Sequence, residues 1–212
     1  MALAAALWAA AAGAAELKLL PVDEAAGNPS FLAFRGSLLD AVRRRDAEYV
    51  VARAAPDIRL SFGGQYGREM FLLSLTGEED WEGERYWTEL QHVLELGGVF
   101  LSDGAFCAPY VSCVEVPNCM ECDPFETVFV TSAYAVAHAK PELGGEIAAR
   151  LSYDILMLNP DKPYHGDWIP VLLPGGGAGY VKGPEFRFSN DYRARFEKTA
   201  EGWRMTVFIA GD

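Results

Sequence analysis

Four cysteines, Cys107, Cys113, Cys119 and Cys122, fall within one short segment, FCAPYVSCVEVPNCMECDPF. Thiols this close together can pair as disulfides, hold a zinc ion or stay free. Their even number, in a chain whose start reads as an export signal, argues for disulfides. Zinc is the lesser alternative, because Cys119-Met120-Glu121-Cys122 is one half of a knuckle while the other pair is spaced six apart. Redox catalysis is weaker still: an active dithiol sits where a helix begins, and here Pro124 and the β-branched Thr127, Val128 and Val130 follow. Pro109, Pro117 and Pro124 make the segment a loop-rich connector rather than a helix or a central strand. The expectation is a linker, residues 106–124, stapled by its own disulfides.

The remaining chemistry-bearing residues are sparse. His92, His138 and His165 stand in no Ser-His-Asp, metalloprotease or nucleophile-elbow setting, so each reads as an ordinary histidine rather than a base. Asp57 and Glu69 form an acid/base pair only if the N-terminal half encloses a cone-shaped pocket, the isomerase-like alternative. The acidic run from Thr76 to Glu84 lacks the regular ligand spacing of a calcium loop and reads as a solvated helix connector. Gly175-Gly176-Gly177-Ala178-Gly179 has no following helix to cradle a phosphate and reads as a hairpin turn. No cofactor and no metal site is expected.

A net charge of −12 over 212 residues, with Arg43-Arg44-Arg45 the one basic cluster, removes the electrostatic term that drives nucleic-acid binding. The same charge opposes anionic lipid and anionic wall polymers. Residues 1–15 are uncharged, Ala-rich and end in Ala12-Gly13-Ala14-Ala15, small residues suited to signal peptidase. They read as a signal peptide, which places the protein in the periplasm or outside the cell. No later stretch approaches the roughly 20 apolar residues that a membrane span needs.

The elements that must position these residues follow from periodicity. Asn28-Pro29-Ser30 is a helix start, and Phe31, Phe34, Leu38 and Val42 form one stripe, predicting a helix over 30–45 whose basic end suits the helix dipole. A second helix runs from its Asp46 cap to Ala55 and stops at Pro56. Residues 57–62 alternate as a strand with Ile58, Leu60 and Phe62 on one face. Residues 67–75 and 86–96 are helical, the latter closed by Gly97. From Phe125 the texture changes to short β-rich runs at 127–139, 146–151, 154–159, 168–173 and 179–181, as in a small barrel or sandwich.

Residues 131–190 resemble the bacterial Src-homology-3-like family. The resemblance rests on Ala133-Tyr134-Ala135-Val136 before Lys140-Pro141, on Glu146 to Leu156, on Asp167-Trp168-Ile169-Pro170-Val171, and on Gly179-Tyr180-Val181 before Glu185-Phe186-Arg187. It implies a barrel of five to six strands that recognises envelope peptides, peptidoglycan or proteins and does no chemistry. Pro170 departs from the pattern and suggests an edge strand or a bulge. The N-terminal part, residues 31–98, more faintly resembles exported cystatin-like or nuclear-transport-factor-like proteins through Asp57 to Gly64.

The expected fold class is therefore α+β: a helix-rich domain over 28–105, the connector, an SH3-like barrel over 125–190 and a C-terminal hairpin over 191–212. In that hairpin Tyr192, Ala194 and Phe196, then Trp203, Met205, Val207 and Ile209, alternate about a turn at Glu201-Gly202. A helical layer with one strand lacks a sheet, so the hairpin is expected to return and pair with residues 59–62, making the barrel an insertion. Tyr134, Tyr153, Trp168, Tyr180 and Phe186 exceed what a small core needs. Tyr153, Asp154, Trp168 and Tyr180 are the expected ligand-binding residues, aromatic faces with one carboxylate suiting a peptide that carries an amine.

Overall fold

A computed structural model describes residues 17–77, 83–116 and 122–211. The expected signal peptide, the middle of the acidic connector and Cys119 lie outside the described residues.

The chain enters α1 (Pro29–Arg43) through Asn28, whose side chain accepts from the Phe31 N–H, with Pro29 at the first helical position. Phe31, Leu38 and Val42 of the expected stripe are fully buried. Arg45 turns left-handed at φ 58°, and Asp46 then caps α2 (Ala47–Ala52) by accepting from the Tyr49 N–H. This helix ends before the expected Ala55, because the chain is already extended at Ala54 in β1 (Ala54–Arg59). Pro56 sits inside β1 without disrupting it, since β1 is an edge strand. Ile58 and Leu60 are buried as expected, but Phe62 lies beyond the strand end and is 44% exposed, beneath the guanidinium groups of Arg59 and Arg193. Helices α3 (Arg68–Thr76) and α4 (Gly83–Glu95) follow, α4 burying Tyr86, Trp87, Leu90, Val93 and Leu94.

Two short strands, β2 (Val99–Phe100) and β3 (Phe106–Ala108), leave the helices. Here the connector reading is corrected: Phe106 to Ala108 form an internal strand flanked by β2 and, from the far end of the chain, β11 (Arg193–Thr199). Pro109 removes no ladder donor because it lies one residue past the pairing. Gly98 permits the approach of the chain leaving α4, since a Cβ there would lie 2.0 Å from the Cys107 carbonyl oxygen.

The C-terminal hairpin pairs β11 with β12 (Gly202–Ile209), and β12 runs parallel beside β1, with Ala54 opposite Met205 and Arg59 opposite Val207. The five-stranded order is β1-β12-β11-β3-β2. Its face and the four helices share one core, where the Phe31 ring sits 4.2 Å from Phe106 and 4.9 Å from Trp203 between centroids. The expected alternation of β12 breaks after Met205: a register shift opposite Arg195 and Phe196 turns Phe208 inward and leaves Val207 half-buried.

Residues between β3 and β11 build a second, antiparallel sheet. Its strands are β4 (Thr127–Val130), β5 (Ala135–His138), β6 (Ile147–Leu151), β7 (Ile155–Leu158), β8 (Ile169–Leu172), β9 (Ala178–Val181) and β10 (Phe186–Phe188). The expected run 127–139 is thus two strands split by a turn, and β10 is a strand that periodicity does not reveal. In the order β10-β4-β7-β8-β9-β5-β6, the two ends do not pair, so no closed barrel is found among the described residues. The sheet nonetheless wraps one core of Val128, Val130, Ala137, Leu156, Val171, Val181 and Phe186. The glycine run is the β8–β9 turn, with Gly176 and Gly177 at φ 88° and 84°. Pro170 is internal rather than at an edge: it sits where β7 has ended, and its carbonyl accepts from the Asn159 N–H. The fold is α+β.

Candidate functional site

Helix α4 carries two faces. Tyr86, Trp87, Leu90, Val93 and Leu94 enter the core, while Arg85, Glu89 and His92, spaced four and three apart, share the other side. Strand β10 meets that polar side. Phe186 and Phe188 pack against the core of the second sheet, so the alternation of the strand turns Arg187 the opposite way. A cleft of about 330 Å³ lies between them, its walls completed by Lys182 to Pro184, Asp167, Ile169, Asp191 and Tyr192.

Arg187 lines this cleft. Its side chain is 3% exposed and bridges the two layers, Nη1 donating to Glu89 Oε2 at 2.9 Å and Nη2 to the Tyr192 carbonyl at 3.3 Å. The Nε–H is buried and has no acceptor among the described residues. Nearby, Asp191 Oδ2 accepts from the Phe188 N–H at 2.9 Å. Burial pushes the Asp191 carboxyl above its usual range; the Arg187 charge and the Phe188 N–H oppose this without overcoming it, and Glu89 adds to it. Lys182 and Asp167 pair at 2.9 Å on the exposed rim, and His92, also in the lining, has a buried Nδ1 with no partner among the described residues.

The expected ligand-binding residues fall in two places. β7 and β8 are antiparallel with Met157 opposite Leu172, so Tyr153 and Asp154 precede β7 at one end and Trp168 precedes β8 at the other. Trp168 and Tyr180 do come together, interleaved with histidines: the Trp168 ring lies 5.3 Å from His138, the Tyr180 ring 5.7 Å from His165, and His138 is the cross-strand partner of Tyr180. Trp168 is 7% exposed and contributes packing. Asp154 is 3% exposed and already engaged, accepting from Lys18 Nζ at 2.8 Å and from the Ser152 N–H at 2.6 Å. Leu19 N–H donates to the Tyr153 carbonyl and Ile155 N–H to that of Leu17, so the N-terminal segment lies along this turn. The Asp154 carboxylate is thus paired with an amine of the same chain, that of Lys18.

Asp57 and Glu69 are both exposed, Trp87 and Leu90 are buried in the apolar core, and Phe34 packs against it half-buried. Cys107 and Cys113 form a disulfide, Cys122 is also disulfide-bonded, and no described cysteine is free. That chemistry fits an oxidising compartment. No described helix is long and apolar enough to cross a membrane. Periodicity missed Arg187, Glu89 and Asp191 as a group; the one signal available was a cation flanked by two phenylalanines, Phe186-Arg187-Phe188, in a strand too short to read.

No family model, curated protein or solved structure matches the chain.

Proposed function

We propose that this chain is an exported binding module, periplasmic or secreted, that recognises a small polar molecule or the end of an envelope peptide and does no chemistry. The recognition site is the cleft between α4 and β10. The observation that carries this reading is the Arg187 side chain, which lines the cleft while its Nε–H is buried without an acceptor among the described residues, because an unpaired buried donor costs about 1–3 kcal/mol unless something meets it. The volume of about 330 Å³ sits at the lower end of ligand pockets, which suits a small partner. The disulfide supports the location.

The isomerase-like alternative is disfavoured by the burial of Trp87 and Leu90 in the apolar core and by the exposure of Asp57 and Glu69. The test is capture of small molecules and peptides from an envelope digest by the purified protein, identified by mass spectrometry, beside the double variant Arg187→Met with Glu89→Gln. A compound enriched by the natural chain and lost in the variant is expected. Equal enrichment by both would place binding elsewhere.

A further inference from the structure

We propose that the α4–β10 cleft takes a small zwitterion of amino-acid size, its carboxylate on the Arg187 Nε–H and its ammonium on the Asp191 carboxylate. This rests on the cleft being the binding site. Three cations, Arg85, Lys182 and Arg187, and three carboxylates, Glu89, Asp167 and Asp191, line it, so its formal charge is balanced although the whole chain carries −12. A simple anion entering such a site would add to an already negative protein, and a simple cation would leave the Arg187 donor unmet. A zwitterion satisfies both and keeps the balance.

The existing pairs assign the roles. Glu89 is held by Arg187 Nη1, and Asp167 by Lys182. Asp191 makes no ion pair among the described residues and accepts only from a backbone N–H, while Arg187 keeps one donor unused. These two residues are close in chain and in space: the Asp191 N–H donates to the Phe188 carbonyl, folding the segment after β10 back so that Asp191 feels the Arg187 charge. His92 Nδ1, without a partner among the described residues, offers a further polar contact. A bound ammonium supplies Asp191 with the counter-charge its surroundings do not pair directly.

Titration of isotope-labelled protein with L-alanine, propionate, ethylamine and inorganic phosphate, followed by nuclear magnetic resonance at the Arg187 Nε–H and the Asp191 amide, separates the outcomes. L-Alanine is expected to saturate both signals at a concentration at least tenfold below propionate or ethylamine, and Asp191→Asn to erase that advantage. Propionate or phosphate matching L-alanine would overturn the zwitterion and leave the cleft as an anion site. An advantage that survives Asp191→Asn would overturn the assignment of the ammonium. If no probe moves either signal, the zwitterion and the cleft fall together.

Discussion

Arg187 of β10 and Glu89 of α4 meet at 2.9 Å, and this contact both ties the second sheet to the helical layer and lines the cleft. Breaking a buried pair leaves a charge uncompensated, whereas removing both partners does not. Arg187→Met alone should therefore destabilise the protein by about 3 kcal/mol, with most of that recovered when Glu89→Gln is added. Urea denaturation of the two variants measures it. Equal losses in both would mean that the pair is not what joins the layers.

The Asp191 carboxyl has a raised pKa in the folded protein, so the folded state holds its proton more tightly than the unfolded chain does. Its contribution to stability is fully present below the ordinary carboxylate pKa and is lost as the pH rises through the raised value. Asp191→Asn removes this titration while keeping an acceptor for the Phe188 N–H. The variant should thus gain on the natural protein as pH rises from acid to neutral. Thermal melts across that range check the sign, and a gap that widens toward acid would refute it.

Tyr110 is fully buried, its hydroxyl has no partner among the described residues, and burial pushes its pKa up to about 12. Its ionisation opposes the folded state, so the stability it permits is lost as pH climbs from about 10 through that raised value. Tyr110→Phe should stabilise the protein at neutral pH by about 1 kcal/mol and by more in alkali. Denaturant curves at neutral and alkaline pH decide it.

The Lys18–Asp154 pair and two backbone hydrogen bonds hold residues 17–19 along the Tyr153 turn, with Leu19 buried beside Tyr110 and Phe129. Asp154→Ala should abolish hydrogen-exchange protection of the Leu19 amide while leaving β11 and β12 protected. Tyr153 and Trp168, at opposite ends of the β7–β8 pair, should behave additively within about 0.5 kcal/mol in a double-mutant cycle. A larger coupling would return them to one site.

Replacing Cys107 and Cys113 together by Ala opens a link across a sequence separation of 6 and should cost on the order of 2 kcal/mol. Binding in the cleft should be unchanged, because neither cysteine lines it: Cys107 is on β3 and Cys113 follows the short helical turn Tyr110–Ser112. A loss of binding without a loss of stability would contradict the assignment.

The helices were legible because their stripes and caps are local: Asn28, Asp46 and Gly97 mark ends that depend on neighbours a few residues away. The return of the C-terminal hairpin toward the first strand was legible for a different reason, since a helical layer with one strand has to find its sheet elsewhere, but the pairing falls at Ala54 to Arg59 rather than at the expected residues 59–62. What failed depended on distant partners. Phe106 to Ala108 look like a loop beside Pro109 until β11 is placed alongside, and Phe62 looks buried until β1 is seen to end at Arg59. The cleft joins Glu89 to Arg187 across 98 positions, and no spacing rule reaches that far.

The most direct measurement is calorimetric titration of the compound captured from the envelope digest into three proteins: the natural chain, the Arg187→Met with Glu89→Gln variant, and the Tyr153→Ala with Trp168→Ala variant. Recognition in the cleft that Arg187 lines predicts at least tenfold weaker binding in the first variant and unchanged affinity in the second. Full affinity in the Arg187 variant, with loss in the Tyr153 variant, would contradict it and move recognition to the ends of the second sheet.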